Sequence, residues 1–142
     1  MWVKESRLWF MTWLGEKLAD EDTDTKVWML HEEADPYTDA TVFADIVGLD
    51  KSLLGTWTEV FGGTLDIIPA IGPDFNIVAY AGRRQTFENE TDENVYCWGF
   101  AILCHGLSML YDVRQFGPPM LIGPGQKFKF TPYIRCTDWW AY

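Results

Sequence analysis

Three closely spaced β-strand patterns occupy the last third of the chain, and they constrain the fold more than any other feature. Residues 95–103 are apolar at both alternating sets of positions, which is typical of a central strand covered on both faces. Residues 107–113 carry the second pattern. In 127–132, Phe128 and Phe130 share one face while lysines occupy the other. These patterns predict a β-sandwich scaffold.

Shorter strand patterns run through the rest of the chain, at 26–31, 56–61, 65–68, 75–81 and 85–89. Turn residues separate the strand patterns at roughly the 8–12-residue spacing of all-β folds. The sequence therefore predicts an all-β fold, mainly a β-sandwich or jelly-roll-like arrangement of seven or eight short antiparallel strands.

The length of 142 residues predicts one domain with a sizeable hydrophobic core. Within it we expect three parts: an N-terminal segment at 1–25, the β-sandwich at 26–136 and an aromatic tail at 137–142.

The N-terminal segment has the spacing of an amphipathic helix over residues 5–18. Ser6 is positioned to cap its start, and Leu14 and Leu18 fall at helical spacing. Gly15 disfavours a helix. The alternation of Trp9, Met11 and Trp13 keeps a bent pair of strands as the rival interpretation.

The chain is unusually aromatic and acidic. It contains 8 Trp and is 16% aromatic, more than one small core needs, so part of this content either lies at an interface or fills an aromatic-rich core. The formal net charge is −10, with 14 acidic against 5 basic residues in 1–71. Such a surface repels nucleic acid and anionic membranes, but it can dock onto a basic protein surface.

Motifs for chemistry are sparse, so we expect neither an enzyme nor a cofactor. The sequence has no nucleophile elbow, no phosphate-binding glycine loop and no paired metal-ligand motif. Asp20, Asp22 and Asp24 have the alternate spacing of a calcium loop, but Thr25 and His31 replace its glycine and glutamate. An exposed acidic turn is the expectation, and a bound cation is the alternative.

The chain lacks the pattern of a secretory signal and any apolar run of membrane-spanning length. Its three cysteines, Cys97, Cys104 and Cys136, lie in or beside apolar strand patterns. We therefore expect buried free thiols, as in proteins made in a reducing compartment.

Several short segments follow one another in a distinctive order: Lys26–His31, Asp35–Thr41, Val42–Ile46, Val95–Phe100, Leu110–Tyr111, Arg114–Phe116 and Phe128–Pro132. This order resembles that in small virion proteins from the structural gene modules of tailed bacteriophages. The resemblance implies a β-sandwich virion structural protein, a capsid decoration or cement subunit. A tail or fibre-base component is the alternative location.

The same resemblance implies partners and a place of action. The chain would bind the major capsid protein or other virion proteins in a virion assembled in the host cytoplasm. By analogy with capsid decoration, it would form a homo-oligomer, most simply a trimer.

We hypothesise a contact surface built from aromatic anchors and a basic rim. The proposed anchors are Trp57, Phe116, Trp139, Trp140 and Tyr142, and the proposed rim residues are Arg83, Arg84 and Arg114. The arginine doublet has a second interpretation, an ordinary exposed turn.

The rival function is a carbohydrate-binding module for receptor recognition. Solvent-facing Trp and Tyr beside Asp and Asn suit sugar stacking and hydroxyl recognition. Aromatic side chains lining a shallow groove would favour this function over an interface between subunits.

Overall fold

The structure is a computed structural model, and it describes residues 3–21, 24–33, 40–62, 65–69 and 76–136. These residues form three helices and nine strands in chain order: α1 (Lys4–Asp20), β1 (Thr25–Leu30), α2 (Phe43–Val47), β2 (Lys51–Thr56), α3 (Trp57–Phe61), β3 (Leu65–Pro69), β4 (Asn76–Ala81), β5 (Gln85–Glu88), β6 (Val95–Cys104), β7 (Met109–Ile122), β8 (Lys127–Phe130) and β9 (Tyr133–Cys136).

All strand pairs in the described ranges are antiparallel, and they form three sheets. The largest has the order β2-β1-β6-β7, the second has the order β3-β4-β9, and β5 pairs with β8 alone. The prediction of a mainly β, antiparallel fold with an N-terminal helix is confirmed. The expected count of seven or eight strands is too low, because residues 133–136 and 51–56 add strands that carry no clear alternation.

Strand β6 lies inside the four-stranded sheet and is covered on both faces, as its sequence predicted. On one face, Phe100 and Ile102 pack in a core cluster with residues of α1 and α3. On the other face, Ala101 and Leu103 pack with Ile46 of α2. Because successive side chains of a strand point to opposite faces, one strand contributes to both clusters.

The two-stranded sheet packs on the same face of the large sheet as the first cluster. Buried Met29, Cys97 and Ile122 contact half-buried Phe87 of β5 and Phe128 of β8. The lysines of β8 are exposed and its phenylalanines are half-buried, which confirms the alternation seen in the sequence.

The helix predicted at residues 5–18 is confirmed as α1, and the rival interpretation, a bent pair of strands, is wrong. It begins one residue earlier than predicted, and Val3 precedes it without a side-chain cap, so the capping role of Ser6 is also wrong. Gly15, which was expected to disfavour a helix, lies inside α1 without interrupting it. A Cβ on Gly15 would lie 1.9 Å from the Tyr80 hydroxyl oxygen, so the missing side chain makes room for this ring. Tyr80 Oη–H donates to the Met11 carbonyl oxygen at 2.7 Å and ties α1 to β4.

The strand predicted at 56–61 is wrong, because residues 57–61 form helix α3. The Thr56 hydroxyl oxygen accepts a hydrogen bond from the Glu59 backbone N–H, which is a helix N-cap. Gly62 ends the helix in the left-handed conformation, with φ of 63°. A five-residue helix has too few residues to display a helical period, and its alternating apolar residues therefore looked like a strand.

Strand β7 extends beyond the strand pattern predicted at 107–113 and continues through Gly117-Pro118-Pro119. Its pairing with β6 passes from Gln115 opposite Gly99 to Met120 opposite Cys97, so the prolines lie in an irregular stretch that forms no ladder pairs. Proline is tolerated there because β7 is at the edge of its sheet and the prolines need not donate to the ladder.

Candidate functional site

The predicted aromatic anchor Trp57 lies in the core, and its predicted surface role is wrong. Its side chain is 1% exposed. Its ring stacks on Phe61 at a centroid distance of 4.7 Å and meets the Tyr80 ring edge-on at 5.2 Å. The helical conformation of residues 57–61 turns this ring inward toward α1 and β4.

Phe116 holds two strands of the chain together. It is half-buried, and its ring meets those of Phe128 and Phe130 at 5.4 Å each. The contacts of this ring with β8 are intramolecular. The other three predicted anchors, Trp139, Trp140 and Tyr142, lie outside the described residues.

Two of the predicted rim arginines make intramolecular bonds. Arg83 Nη1–H donates to the Glu59 carbonyl oxygen at 3.0 Å, near the C-terminal end of α3. Arg114 Nε–H donates to Asp112 Oδ2 at 2.9 Å. Burial raises the pKa of Asp112, and the nearby Arg114 guanidinium opposes part of that shift. Arg84 lies between β4 and β5 and, like Arg83, is exposed.

The acidic turn forms no recognisable metal site in the described part of the chain. Asp20 is the last residue of α1, and Asp24 lies in the turn before β1, while Asp22 is outside the described residues. Across the described ranges, no group of three or more His, Cys, Asp or Glu side chains is arranged to hold a metal ion.

The most exposed tryptophan in the described surface lies on α1, on a face that the sequence interpretation did not select. Trp9 is 70% exposed and Trp13, one turn later, is 44% exposed. We call this pair the tryptophan ridge. The opposite side of α1 packs Met11 and Leu18 into the core. A signal for the ridge was present, since residues four apart share one helical face.

A polar pocket of about 520 Å³ opens where β1 ends and β6 begins. Its lining includes His31, Asp50, Asp92, Glu93, Asn94 and Tyr96. The exposed Tyr96 ring stands opposite exposed Leu121 in the β6–β7 pairing. The residues that line the pocket therefore include carboxylates, an amide and a tyrosine.

His31 acts as a connector at this pocket. The Tyr96 carbonyl oxygen lies 3.0 Å from Nδ1, and because a carbonyl only accepts, Nδ1–H is the donor. Nε2 lies 2.7 Å from the Ser52 hydroxyl oxygen, within hydrogen-bond distance. The histidine thus links the end of β1 to β2 and β6.

Asn89 shapes the loop that forms one wall of the pocket. Its buried Nδ2–H₂ group donates to the carbonyl oxygens of Glu93 and Ile122, at 2.7 and 2.9 Å. Its Oδ1 accepts from the backbone N–H and the hydroxyl of Thr91. Because both the NH₂ group and the oxygen of this side-chain amide are hydrogen-bonded, Asn89 holds the loop at residues 89–93 in place. The sequence interpretation placed Asn89 at the end of the strand predicted at 85–89.

Cys97 and Cys104 are buried free thiols, as predicted, and the side chain of Cys136 lies outside the description. Burial raises the pKa of the Cys97 thiol to about 11. A thiol that stays protonated at neutral pH is a poor nucleophile, so Cys97 serves packing.

Of the helices that the structure describes, none has the length and apolar character needed to cross a bilayer. Comparison of the chain with protein-family models, with curated proteins and with solved structures finds no match.

Proposed function

We propose that this chain is a structural protein of a tailed-phage virion, a decoration or cement subunit that binds the assembled capsid. The observation that carries the proposal is the tryptophan ridge, two large rings held in solvent on a helix whose other face is packed. Trp is enriched among the residues that dominate protein–protein binding energy. The order of strand motifs in the sequence supports the same class of protein.

The energetic argument favours a binding role for the ridge. Covering a fully exposed large apolar side chain stabilises a complex by roughly 1.5–3 kcal/mol. A single exposed apolar residue is ordinary, whereas the ridge presents two exposed tryptophans one turn apart on the same helical face. A partner that covers both rings gains this energy without any rearrangement of the core.

The arrangement of the sheets supports a β-sandwich as the finer description of the fold. The β3-β4-β9 and β5-β8 sheets pack against one face of the four-stranded sheet through the clusters around Phe100 and Cys97. Helix α2 covers the other face. In a homo-oligomer, a trimer by analogy, a second copy would cover the open edge of β7 along its proline-free part, residues 109–117.

Co-sedimentation with empty heads of the phage that encodes the chain tests this proposal. We expect saturable binding with a fixed number of copies per head, and a symmetric oligomer by analytical ultracentrifugation. The Trp57→Phe variant, altered only in the core, serves as the control that should still bind. Binding to tails instead of heads would favour the tail or fibre-base location, and binding to neither would refute the virion role.

A carbohydrate-binding receptor-recognition module is the second candidate, and the polar pocket favours it. Exposed Tyr96 lines the pocket together with Asp50 and Asn94, and these residue types stack on sugar rings and bond their hydroxyls. A glycan array tests this function with wild type and the Tyr96→Ala variant. Hits that the variant loses would support sugar binding, whereas an array without hits would count against it.

A further inference from the structure

We propose that the tryptophan ridge docks into an apolar groove rimmed by lysine or arginine on a protein partner. This inference rests on the proposed binding function and names the surface and the partner chemistry. It extends the proposal to a residue pair that lies outside the predicted anchors.

The ridge is presented by a helix that is already fixed in place. Met11 and Leu18 on its inner face are buried, and Tyr80 bonds the Met11 carbonyl oxygen. The ring of Trp13 also stacks on Phe10 at a centroid distance of 6.1 Å. A preorganised surface loses little conformational entropy on binding, so most of the burial energy appears as affinity.

Charge on the same face selects the partner. Helical spacing places Glu5, Glu16 and Asp20 on the side of α1 that carries the ridge, and all three are exposed. Exposed Lys17 lies toward the flank of this face. The rings are therefore bracketed by carboxylates, at Glu5 before them and at Glu16 and Asp20 after them.

This bracket disfavours other occupants. A second copy of the chain docking through the same face would place carboxylates against carboxylates, and nucleic acid or an anionic membrane would be repelled likewise. A groove with an apolar floor and a basic rim covers both rings and pairs with the carboxylates. Charge complementarity therefore points to a basic protein partner.

A pair of designed amphipathic helical peptides tests the chemistry directly. Both carry leucine on one face, and the other face carries lysine in one peptide and glutamate in the other. Binding to the full chain is measured by isothermal titration calorimetry, and the indole N–H signal of Trp9 is followed by NMR. We expect the basic peptide to bind at least tenfold tighter than the acidic one and to shift the Trp9 signal.

Variants separate the ring and charge contributions. The Trp9→Ala/Trp13→Ala variant should lose at least tenfold in affinity for the basic peptide. The Glu5→Gln/Glu16→Gln/Asp20→Asn variant should bind the basic peptide several-fold more weakly than wild type. Its affinity should also lose most of its dependence on salt concentration. Leu107→Ala, which removes an exposed apolar side chain from the β6–β7 turn, is the matched control and should bind like wild type.

The proposal is overturned if the two peptides bind equally, if neither binds, or if the double tryptophan variant binds like wild type. It is also overturned if the tryptophan substitutions change the mass of the free chain in solution, because the ridge would then contact a second copy.

The assay with phage heads distinguishes this proposal from the virion role. Unchanged head binding by the double tryptophan variant would refute the ridge and leave the virion role standing. Selective binding of the basic peptide without binding to heads or tails would support the ridge while the virion role fails.

Discussion

Two regions of this molecule use tryptophan in opposite ways. Where α1, α3 and β4 meet, Trp57 is enclosed by Phe61 and Tyr80 and contributes to the stability of the fold. On the outer face of α1, Trp9 is 70% exposed. The two regions share one helix, so a single element both anchors the core and displays the surface that we propose binds a partner. Residue type alone therefore does not tell whether a tryptophan is buried in the core or exposed at the surface.

The largest effect should come from emptying the buried region. Trp57→Ala removes a ring from a closely packed cluster, and we expect a loss of about 3–5 kcal/mol in the free energy of unfolding. Urea denaturation monitored by circular dichroism measures it. A loss below about 1 kcal/mol would show that the ring is not enclosed as described.

Filling the close approach between α1 and β4 should have the next largest effect. Gly15→Ala pushes a methyl group against the Tyr80 hydroxyl and disturbs its bond to Met11, and we expect a loss of about 2–3 kcal/mol despite the higher helix propensity of alanine. Gly48→Ala is the matched control, because a Cβ at Gly48 meets no atom within 4 Å. Equal stabilities of the two variants would contradict the contact.

The buried thiol predicts a loss of stability in alkaline solution. The Cys97 pKa is about 11 in the folded chain against an ordinary value of 9.0, so unfolding releases a proton between these limits. The stability that the buried, protonated thiol contributes is fully present below pH 9 and is lost as the pH rises toward 11. At pH 11 the loss in the free energy of unfolding is about 2 kcal/mol. Urea midpoints at several pH values should fall less steeply for Cys97→Ala, and parallel curves would refute the assignment.

The helix cap before Trp57 should matter less. Thr56→Ala removes the hydroxyl oxygen that accepts from the Glu59 N–H, at an expected cost of about 1 kcal/mol. Thr56→Ser keeps the oxygen and should stay close to wild type. Urea denaturation measures both variants. If the free energy of unfolding falls as much for the serine variant as for the alanine variant, the hydroxyl does not cap α3.

The smallest effect on stability should come from the ridge. Trp9→Ala removes a ring that is mostly in water, and we expect a change within about 0.5 kcal/mol in the same urea experiment. Set beside Trp57→Ala, this variant tests the comparison itself. A loss approaching that of Trp57→Ala would mean that Trp9 supports the fold and is not free for a partner.

Much of the β structure could be predicted because it depends on neighbouring residues. The alternation of Phe128 and Phe130 with lysines, and the uninterrupted apolar run of β6, specify how each strand is buried. Helix α3 could have been found from Thr56 and Glu59, which have the spacing of a capping box, and from Gly62 just beyond the helix. It was missed because five residues show no helical period.

The candidate site was harder to predict, because every ring in the chain is equally apolar in the sequence. Trp57 was expected at the surface and is buried, while Trp9 and Trp13 were weighed only as part of a strand pattern. The side of α1 that faces the core depends on Tyr80, which is distant in sequence. The tolerance of prolines in β7 depends on its place at a sheet edge.

The strand periodicity, the surplus of aromatic rings and the acidic charge can all be read from the amino-acid sequence alone. These are properties of neighbouring residues and of composition. Which tryptophans are buried depends on the tertiary structure, because burial requires contacts with residues from separate parts of the chain. It placed Trp57 against Tyr80 and left Trp9 in water, between the carboxylates of Glu5 and Glu16.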